Sequence, residues 1–294
     1  MGMKRVRIDI LGANGQLGSE MRCLSQIRTG FDFTFSDVVD VDITSLESLQ
    51  RHFETVRPDI VVNCAAYTAV DRAESETDMA DAINHIAVEN IARLSCEYGF
   101  LLVHISTDYV FDGTSCRPYL ETDPCNPVSV YGRTKLAGEK ALLSCARRAV
   151  LIRTAWLYSS FGNNFVRTML RLGKERPLVK VVSDQVGTPT YAADLADVIL
   201  RFAETAPETD DVQVYHFTNE GVCSWYDFAR RIIASETDSC KVLPIVTSEY
   251  PTPAVRPHYS VLDKRKIKEK LQMEIPHWED ALQRCLEKLK PSQQ

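Results

Sequence analysis

The 294-residue sequence contains no hydrophobic run close to the roughly 20 residues that a membrane-spanning helix needs. It also lacks an excess of positive charge, since 40 acidic residues outnumber 34 basic ones and leave a formal net charge of −6. We therefore expect no general attraction to nucleic acid or to an anionic membrane. No signal-peptide pattern precedes the first predicted strand, which favours a cytoplasmic location.

Paired cysteines are missing as well. The nine cysteines are scattered singly, with no C-x-x-C pair and no cysteine–histidine spacing typical of zinc. An odd, dispersed set of cysteines without a leader indicates reduced thiols in a cytosol. Internal repeats and low-complexity segments are also absent from the sequence. The contents of 45% hydrophobic and 25% charged residues are typical of a globular protein.

A glycine-rich loop follows the first predicted strand. Gly12, Gly15 and Gly18 form a G-x-x-G-x-x-G pattern, one residue longer at its first gap than the usual dinucleotide fingerprint. Such glycines allow a tight turn and let backbone N–H groups approach a pyrophosphate at a helix N-terminus. Asp37 follows the second predicted strand, where an acidic group would meet the adenosine ribose. An ordinary strand-to-helix loop, and a turn or cap role for Asp37 and Asp42, remain open alternatives.

Alternating strand-like and helix-like segments predict an α/β fold, a Rossmann-like doubly wound parallel sheet with a smaller C-terminal α/β substrate lobe. We predict an NAD(P)-binding Rossmann domain over residues 1–180 and a nucleotide-sugar lobe over residues 181–294, with some chain crossing between the lobes. The active cleft is expected between them. The predicted strands span residues 7–11, 31–35, 60–66, 100–105, 149–153 and 215–217, and the predicted helices span residues 78–98, 131–147, 191–202, 224–234 and 276 onward.

Tyr131 and Lys135 carry the clearest chemical signal. They are four residues apart, so on a helix they share one face. A nearby cation would lower the pKa of Tyr131 from its usual value of about 10 and make the phenol a usable general acid. With the hydroxyl of Thr107 they supply the groups that protonate a carbonyl as a hydride arrives. A half-buried anchoring tyrosine, a solvent-facing lysine and a helix-capping threonine remain the alternative readings.

Four further residues have two readings each. Trp156 is either a core residue or a platform for a sugar or base. Arg256 is either a surface loop residue or a contact for a diphosphate. His104 and His216 lie in predicted strands, and we expect them to be hydrogen-bonded core residues and not catalytic bases.

Taken in series, these segments resemble the extended short-chain dehydrogenases/reductases, and among them the dTDP-4-dehydrorhamnose reductase family. The resemblance runs through nearly the whole chain. The matching segments are residues 12–18, 63–71, 106–113, 131–140, 153–158, 162–165, 184–190 and 256–257.

The resemblance implies reduction of the C4 keto group of a dTDP-linked 4-keto-6-deoxy sugar by NADPH or NADH. The implied catalytic residues are Thr107, Tyr131 and Lys135. The implied cofactor-binding residues are Gly12, Asn14, Gly15, Gln16, Leu17, Gly18, Asp37, Asp42, Ile43, Ala65, Ala66, Tyr67, Thr68, Ile105, Tyr131 and Lys135. The implied substrate-binding residues are Thr107, Asp108, Tyr109, Trp156, Asn164, Gln185 and Arg256.

Cofactor choice, metal and assembly are less constrained. Asp37 favours NADH because a carboxylate repels a 2′-phosphate, whereas the resemblance implies use of NADPH, so we expect both to be accepted. Some members of the family hold magnesium at a dimer contact through glutamates. Glu20 is present, but Ala193 stands where we align an acid, so we predict no metal and leave a homodimer open.

Two other functions remain alternatives. The non-catalytic regulatory beta subunit of methionine adenosyltransferase shares this fold and several of these segments. It would bind nucleotide without turnover. A related reductase or epimerase acting on another nucleotide sugar is the second, and an epimerase would not consume NAD(P)H stoichiometrically.

Overall fold

A computed structural model describes residues 5–205 and 210–290. The outer ends of the two predicted domains, residues 1–4 and 291–294, lie outside the described residues, as do residues 206–209. The strands are β1 (Val6–Leu11), β2 (Phe31–Ser36), β3 (Ile60–Asn63), β4 (Leu101–Thr107), β5 (Ala149–Thr154), β6 (Leu157–Tyr158), β7 (Leu178–Val182), β8 (Val186–Gly187), β9 (Thr190–Tyr191), β10 (Val212–His216), β11 (Cys223–Ser224) and β12 (Lys241–Ile245). The α-helices are α1 (Gln16–Ser25), α2 (Leu46–Val56), α3 (Val70–Ala73), α4 (Thr77–Asp81), α5 (Ala87–Tyr98), α6 (Val130–Cys145), α7 (Phe165–Glu175), α8 (Ala192–Glu204), α9 (Trp225–Ala234), α10 (Arg265–Leu271) and α11 (Trp278–Leu289).

Six parallel strands form the central sheet, in the order β10-β5-β4-β3-β1-β2. The direction of winding reverses between β1 and β3, so the loops after these two strands diverge and open a crevice at their carboxyl ends. This confirms the predicted Rossmann-like fold. The strands β3, β4 and β5 are almost wholly buried, as expected for a parallel sheet covered on both faces.

Each face of the sheet has its own apolar core. On one face, Leu17 and Met21 of α1 pack with the buried side chains of α8. On the other face, Phe53 of α2 and Ile91 of α5 pack with Leu142 of α6. Helices on both faces hold the strand ends in place, and these ends carry the loops described below.

A third core joins α7, α9 and α11 with β7 and β12. Helix α7 and strand β7 belong to this core although they start before residue 180, whereas β10, from beyond residue 180, is the outermost strand of the central sheet. The chain therefore runs between the two parts more than once. The predicted boundary at 180/181 stays a prediction.

The predicted helix 78–98 is not one regular α-helix. A π-helical turn, Ala82–Ile86, separates α4 from α5 and contains the buried Asn84. The Asn84 side chain accepts the N–H of Tyr67 at 2.9 Å and donates to the Tyr67 carbonyl at 3.1 Å. The wider turn thus lets Asn84 brace the loop after β3, which sequence periodicity did not predict.

Helix α6 begins where a serine caps it. The Ser129 hydroxyl accepts the N–H of Gly132 at 3.1 Å, so Tyr131 lies in the first turn. A side chain at Gly138 would collide with the carbonyl oxygen of Asn84, so glycine allows α6 to lie against the π-helical turn. Among residues 5–205 and 210–290, no helix has both the length and the apolar character needed to cross a membrane.

Candidate active site

A cavity of about 810 Å³ opens at the carboxyl ends of the sheet strands. Of the predicted site residues, it is lined by Gly12, Gly15, Gln16, Leu17, Gly18, Asp37, Asp42, Ile43, Ala65, Ala66, Thr68, Ile105, Thr107, Asp108, Tyr109, Tyr131, Lys135, Trp156 and Asn164. The residues come from segments that are far apart in the sequence. The fold therefore brings the glycine loop, the tyrosine–lysine pair and Trp156 together in one cleft.

The glycine loop forms the floor of the cleft at the switch point of the sheet. Gly12 has a φ of +77°, and a Cβ there would lie 2.7 Å from the backbone nitrogen of Ala65. Only glycine allows the loops after β1 and β3 to approach this closely. Gly15 precedes α1 and offers no side-chain cap, so the first N–H groups of the helix remain available to an anion.

At the adenosine end, both predicted acids make local hydrogen bonds. The Asp37 carboxylate accepts the N–H of Asn14 at 2.7 Å and that of Val38 at 2.8 Å. Asp42 accepts the Thr44 hydroxyl at 2.6 Å and the Thr44 N–H at 2.9 Å, and these two hydrogen bonds lower the pKa of Asp42. Both acids therefore make turn contacts while lining the cavity, and the cap role considered for Asp42 is wrong, because Ser45 caps α2.

Thr107 ends β4 beside the cleft. Its hydroxyl accepts the N–H of Tyr109 at 3.2 Å and lies 3.0 Å from the Asp108 carboxylate, to which it donates. It thus caps the short 3₁₀ turn Asp108–Val110 while lining the cavity. Burial raises the pKa of Asp108 to about 6.

Tyr131 and Lys135 are both buried in the wall of the cleft. The expected lowering of the Tyr131 pKa by Lys135 is wrong for this structure, because burial raises the pKa of Tyr131 to about 12. Lys135 has other partners: its ammonium nitrogen donates to the carbonyl of Ile105 at 2.7 Å and lies 3.3 Å from His104 Nε2. Burial also lowers the pKa of Lys135 to about 8.

Aromatic rings line the opposite end of the cavity. Trp156 has a φ of +49°, an uncommon conformation for a large side chain, and its ring stacks on Trp225. Phe165 lies against Trp225 with ring centroids 4.6 Å apart. Sequence reasoning missed Trp225 and Phe165, which come from the starts of α9 and α7. The aromatic residue that ends the matching segment 162–165 and the one at the start of the predicted helix 224–234 were the available signal.

Four predicted site residues do not line the cavity: Asn14, Tyr67, Gln185 and Arg256. The Tyr67 hydroxyl donates to Glu76 at 2.5 Å, and the Gln185 amide donates to Thr247 at 3.2 Å. Arg256 pairs with Asp71 at 2.8 Å. Their binding roles stay predictions. Asn164 does line the cavity, but its side chain caps α7 and holds the loop before it.

Glu20 is nearly fully buried, with the Ser159 hydroxyl at 2.7 Å and the Lys288 ammonium at 3.2 Å. Within the part of the chain that the structure describes, no three His, Cys, Asp or Glu side chains are grouped in a way that could hold a metal ion. That the protein requires no metal stays a prediction. The buried His104 and His216 are hydrogen-bonded core residues, as expected.

The cavity fits a polar ligand. Three buried side-chain atoms at its wall, Gln16 Oε1, Ser106 Oγ and Asp108 Oδ2, have no hydrogen-bond partner among the described residues. Buried polar atoms normally have partners, so these atoms indicate a molecule that supplies donors and acceptors here. Together with the open N-terminus of α1, they suit a nicotinamide dinucleotide and a hydroxyl-rich substrate.

Comparison with known proteins gives one consistent picture. The family described as RmlD substrate binding domain matches residues 6–290. A dTDP-4-dehydrorhamnose reductase of Aggregatibacter actinomycetemcomitans is 39% identical over 285 residues, covering 94% of this chain and 97% of the relative. The dTDP-4-dehydrorhamnose reductase of Escherichia coli K12 is 40% identical over 294 residues, covering 97% of this chain and 98% of the relative. A crystal structure of dTDP-4-dehydrorhamnose reductase from Bacillus anthracis in complex with NADP aligns with a TM-score of 0.91 and 39% identity, covering 97% of this chain and 100% of that one.

Proposed function

The chain belongs to the RmlD substrate binding domain family, and from that membership we propose that it is a dTDP-4-dehydrorhamnose reductase. In this reaction the C4 keto group of dTDP-4-dehydro-β-L-rhamnose is reduced to the alcohol at the expense of NADPH or NADH. The product is dTDP-β-L-rhamnose. One observation carries the proposal: Thr107, Tyr131 and Lys135 line the same cavity as the glycine loop.

The glycine loop and the N-terminus of α1, with Gly15, Gln16 and Leu17, would hold the cofactor pyrophosphate. Asp37, Asp42 and Ile43 would bind the adenosine, and Ala65, Ala66 and Thr68 would line the rest of the cofactor site. A bound nicotinamide cofactor supplies the hydride for C4. Trp156 and Asp108 hold the sugar nucleotide from the other side of the cleft.

Tyr131 acts as the proton donor to the C4 oxygen. Its raised pKa keeps the phenol protonated at neutral pH, which a proton donor needs. Thr107 orients the carbonyl by hydrogen bonding. With a pKa of about 8, Lys135 is mostly cationic at pH 7, and it would hold the nicotinamide ribose in the cleft.

The experiment is to follow NAD(P)H oxidation with dTDP-4-dehydro-β-L-rhamnose and the purified protein, beside the variant Tyr131→Phe. Loss of the phenol is expected to lower kcat by about 10²–10⁴-fold, the usual contribution of a positioned general acid, with cofactor binding retained. Tyr98→Phe is the matched control, because the Tyr98 hydroxyl faces Glu54 away from the cavity. Tight cofactor binding with no oxidation by the unsubstituted protein would contradict the proposal and favour the regulatory alternative.

The finer parts of the proposal concern assembly and location. A homodimer stays open, and light scattering after size-exclusion chromatography would measure the oligomeric state. We propose a cytoplasmic location, which the nine dispersed free thiols support. Magnesium added to the assay, followed by a chelator, would reveal any metal requirement.

A further inference from the structure

A row of buried polar side chains leads from the sheet to Lys135. Asn63 at the end of β3 and His104 on β4 are paired neighbours in the sheet, and Lys135 reaches them from α6. The three residues are 1%, 0% and 1% exposed. Asn63 Nδ2 lies 3.2 Å from His104 Nδ1, and His104 Nε2 lies 3.3 Å from Lys135 Nζ.

The direction of these hydrogen bonds is set at the Asn63 end. The backbone N–H of Ala65 donates to Asn63 Oδ1 at 3.1 Å, and a backbone N–H can only donate. The amide nitrogen of Asn63 must therefore face His104, where it also can only donate. His104 Nδ1 is consequently an acceptor and carries no proton.

The tautomer of His104 follows. Burial, together with the nearby Lys135, holds the pKa of His104 well below its usual value, so the ring is neutral and carries a single N–H. That N–H is on Nε2 and points at Lys135 Nζ. Only the neutral amine of Lys135 can accept it, because an ammonium has no lone pair.

The other ionisable groups around Lys135 have partners of their own. Glu139, one turn further along α6, is paired with Arg153 at 2.7 Å and raises the Lys135 pKa against the effect of burial. Asp81 and His85, on the adjoining helical segment, pair with each other at 3.0 Å. Tyr131 lies one turn before Lys135 and is protonated at neutral pH.

We propose that Asn63 and His104 are positioning residues. Asn63 holds His104 as its Nε2–H tautomer, and His104 in that form favours the neutral form of Lys135. They act through Lys135 and do not touch the reacting atoms. The tautomer and its effect on Lys135 stand independently of the substrate, whereas the consequence for turnover rests on the proposed function.

Asn63→Asp is the substitution that should reverse the network. A carboxylate accepts both the Ala65 N–H and a proton on His104 Nδ1, which leaves Nε2 as an acceptor for the Lys135 ammonium. The pKa of Lys135 should then rise by about one unit, a tenfold change in its proton affinity.

The test is ¹⁵N NMR of the uniformly labelled full chain, without substrate. The His104 ring signals are assigned by their loss in His104→Gln, among the six histidines. The expected result is protonated Nε2 in the unsubstituted protein, protonated Nδ1 in Asn63→Asp, and a Lys135 Nζ titration that moves up between the two. Protonated Nδ1 in the unsubstituted protein would overturn the proposal even if Asn63→Asp failed to fold.

A matched control and a kinetic readout complete the test. His216→Gln replaces an equally buried histidine that faces Arg153 and Tyr119 outside the cavity, and it should leave the Lys135 titration unchanged. In the reductase assay, the alkaline limb of the pH profile of kcat/KM should shift to higher pH by about one unit in Asn63→Asp. This profile reports ionisations of the free enzyme. An unmoved Lys135 titration in a folded Asn63→Asp protein would overturn the proposal, whereas a missing reductase activity would bear only on the proposed function.

Discussion

Trp156 and Trp225 stack face to face at one end of the cavity, with ring centroids 3.6 Å apart and ring planes 9° from parallel. The two residues are far apart in the chain, since one follows β5 and the other starts α9. Stacking fixes the plane of Trp156, which its left-handed backbone alone would not do. Trp225 therefore supports the surface on which we propose that the sugar nucleotide packs.

Replacing Trp225 by leucine should weaken substrate binding without removing the chemistry. Loss of a stacked aromatic pair costs about 0.5–1.5 kcal/mol, so KM for the sugar nucleotide should rise by roughly two- to tenfold while kcat changes little. Steady-state kinetics would measure both constants. Tyr226→Leu, the next residue on α9 and outside the cavity lining, is the control. A fall in kcat at constant KM would contradict this role.

Replacing Lys135 by methionine should stabilise the fold at neutral pH. The folded pKa of about 8 lies below the usual 10.5, so the lysine's contribution to stability is present above pH 10.5 and is lost as pH falls through 8. The difference corresponds to on the order of 3 kcal/mol, reduced by the lost hydrogen bond to Ile105. Denaturant unfolding at pH 7 and pH 10 should show an advantage for the variant that shrinks at the higher pH. An advantage that grew with pH would contradict the burial of a charged amine.

Replacing Gly138 by alanine should destabilise the protein, although alanine is the better helix former by about 1 kcal/mol. The added methyl group would collide with the Asn84 carbonyl, and overpacking of this kind typically costs about 1–3 kcal/mol. Urea unfolding would measure the change. Gly30→Ala is the control, because a Cβ there meets nothing within 4 Å. Equal effects of the two substitutions would show that α6 can shift away from the π-helical turn.

Replacing Asp37 by serine should move cofactor preference towards NADPH. Among the described residues that line the cavity, Lys135 is the only lysine or arginine, so no cation there offsets Asp37 beside a 2′-phosphate. Removing one like charge is worth about 1 kcal/mol or more, so the NADPH/NADH ratio of kcat/KM should rise about fivefold or more. The measurement is that ratio for both proteins, with the exposed Asp32→Ser as control. An unchanged ratio would mean that Asp37 acts only as the partner of the Asn14 N–H.

Local patterns of the sequence account for most of the sheet and for much of the site. The runs 31–35, 100–105 and 149–153 each coincide with an observed strand to within two residues. The last two are nearly continuous apolar runs, as buried parallel strands need, whereas 31–35 alternates apolar and polar residues and forms the half-buried edge strand β2. The glycines and the Tyr131–Lys135 pair line the cavity as predicted, because each pattern depends on a short stretch of chain. The glycines shape the loop after β1, and the tyrosine and lysine share one face of α6. The π-helical turn at Asn84 was not predicted, since its cause is a contact with the loop after β3 and not a property of residues 82–86.

Sequence alone thus determined the parallel α/β sheet, the loop after β1 and the shared helix face of Tyr131 and Lys135, all of which follow from neighbours along the chain. Tertiary structure decided the electrostatics of the site. The fold places the Lys135 ammonium against the Ile105 carbonyl, and burial raises the Tyr131 pKa, opposite to the effect expected from spacing. Tertiary packing also decided that Trp225 supports Trp156 and that Arg256 pairs with Asp71. Solvent exclusion and contacts between distant segments depend on the whole fold, so no local pattern encodes them.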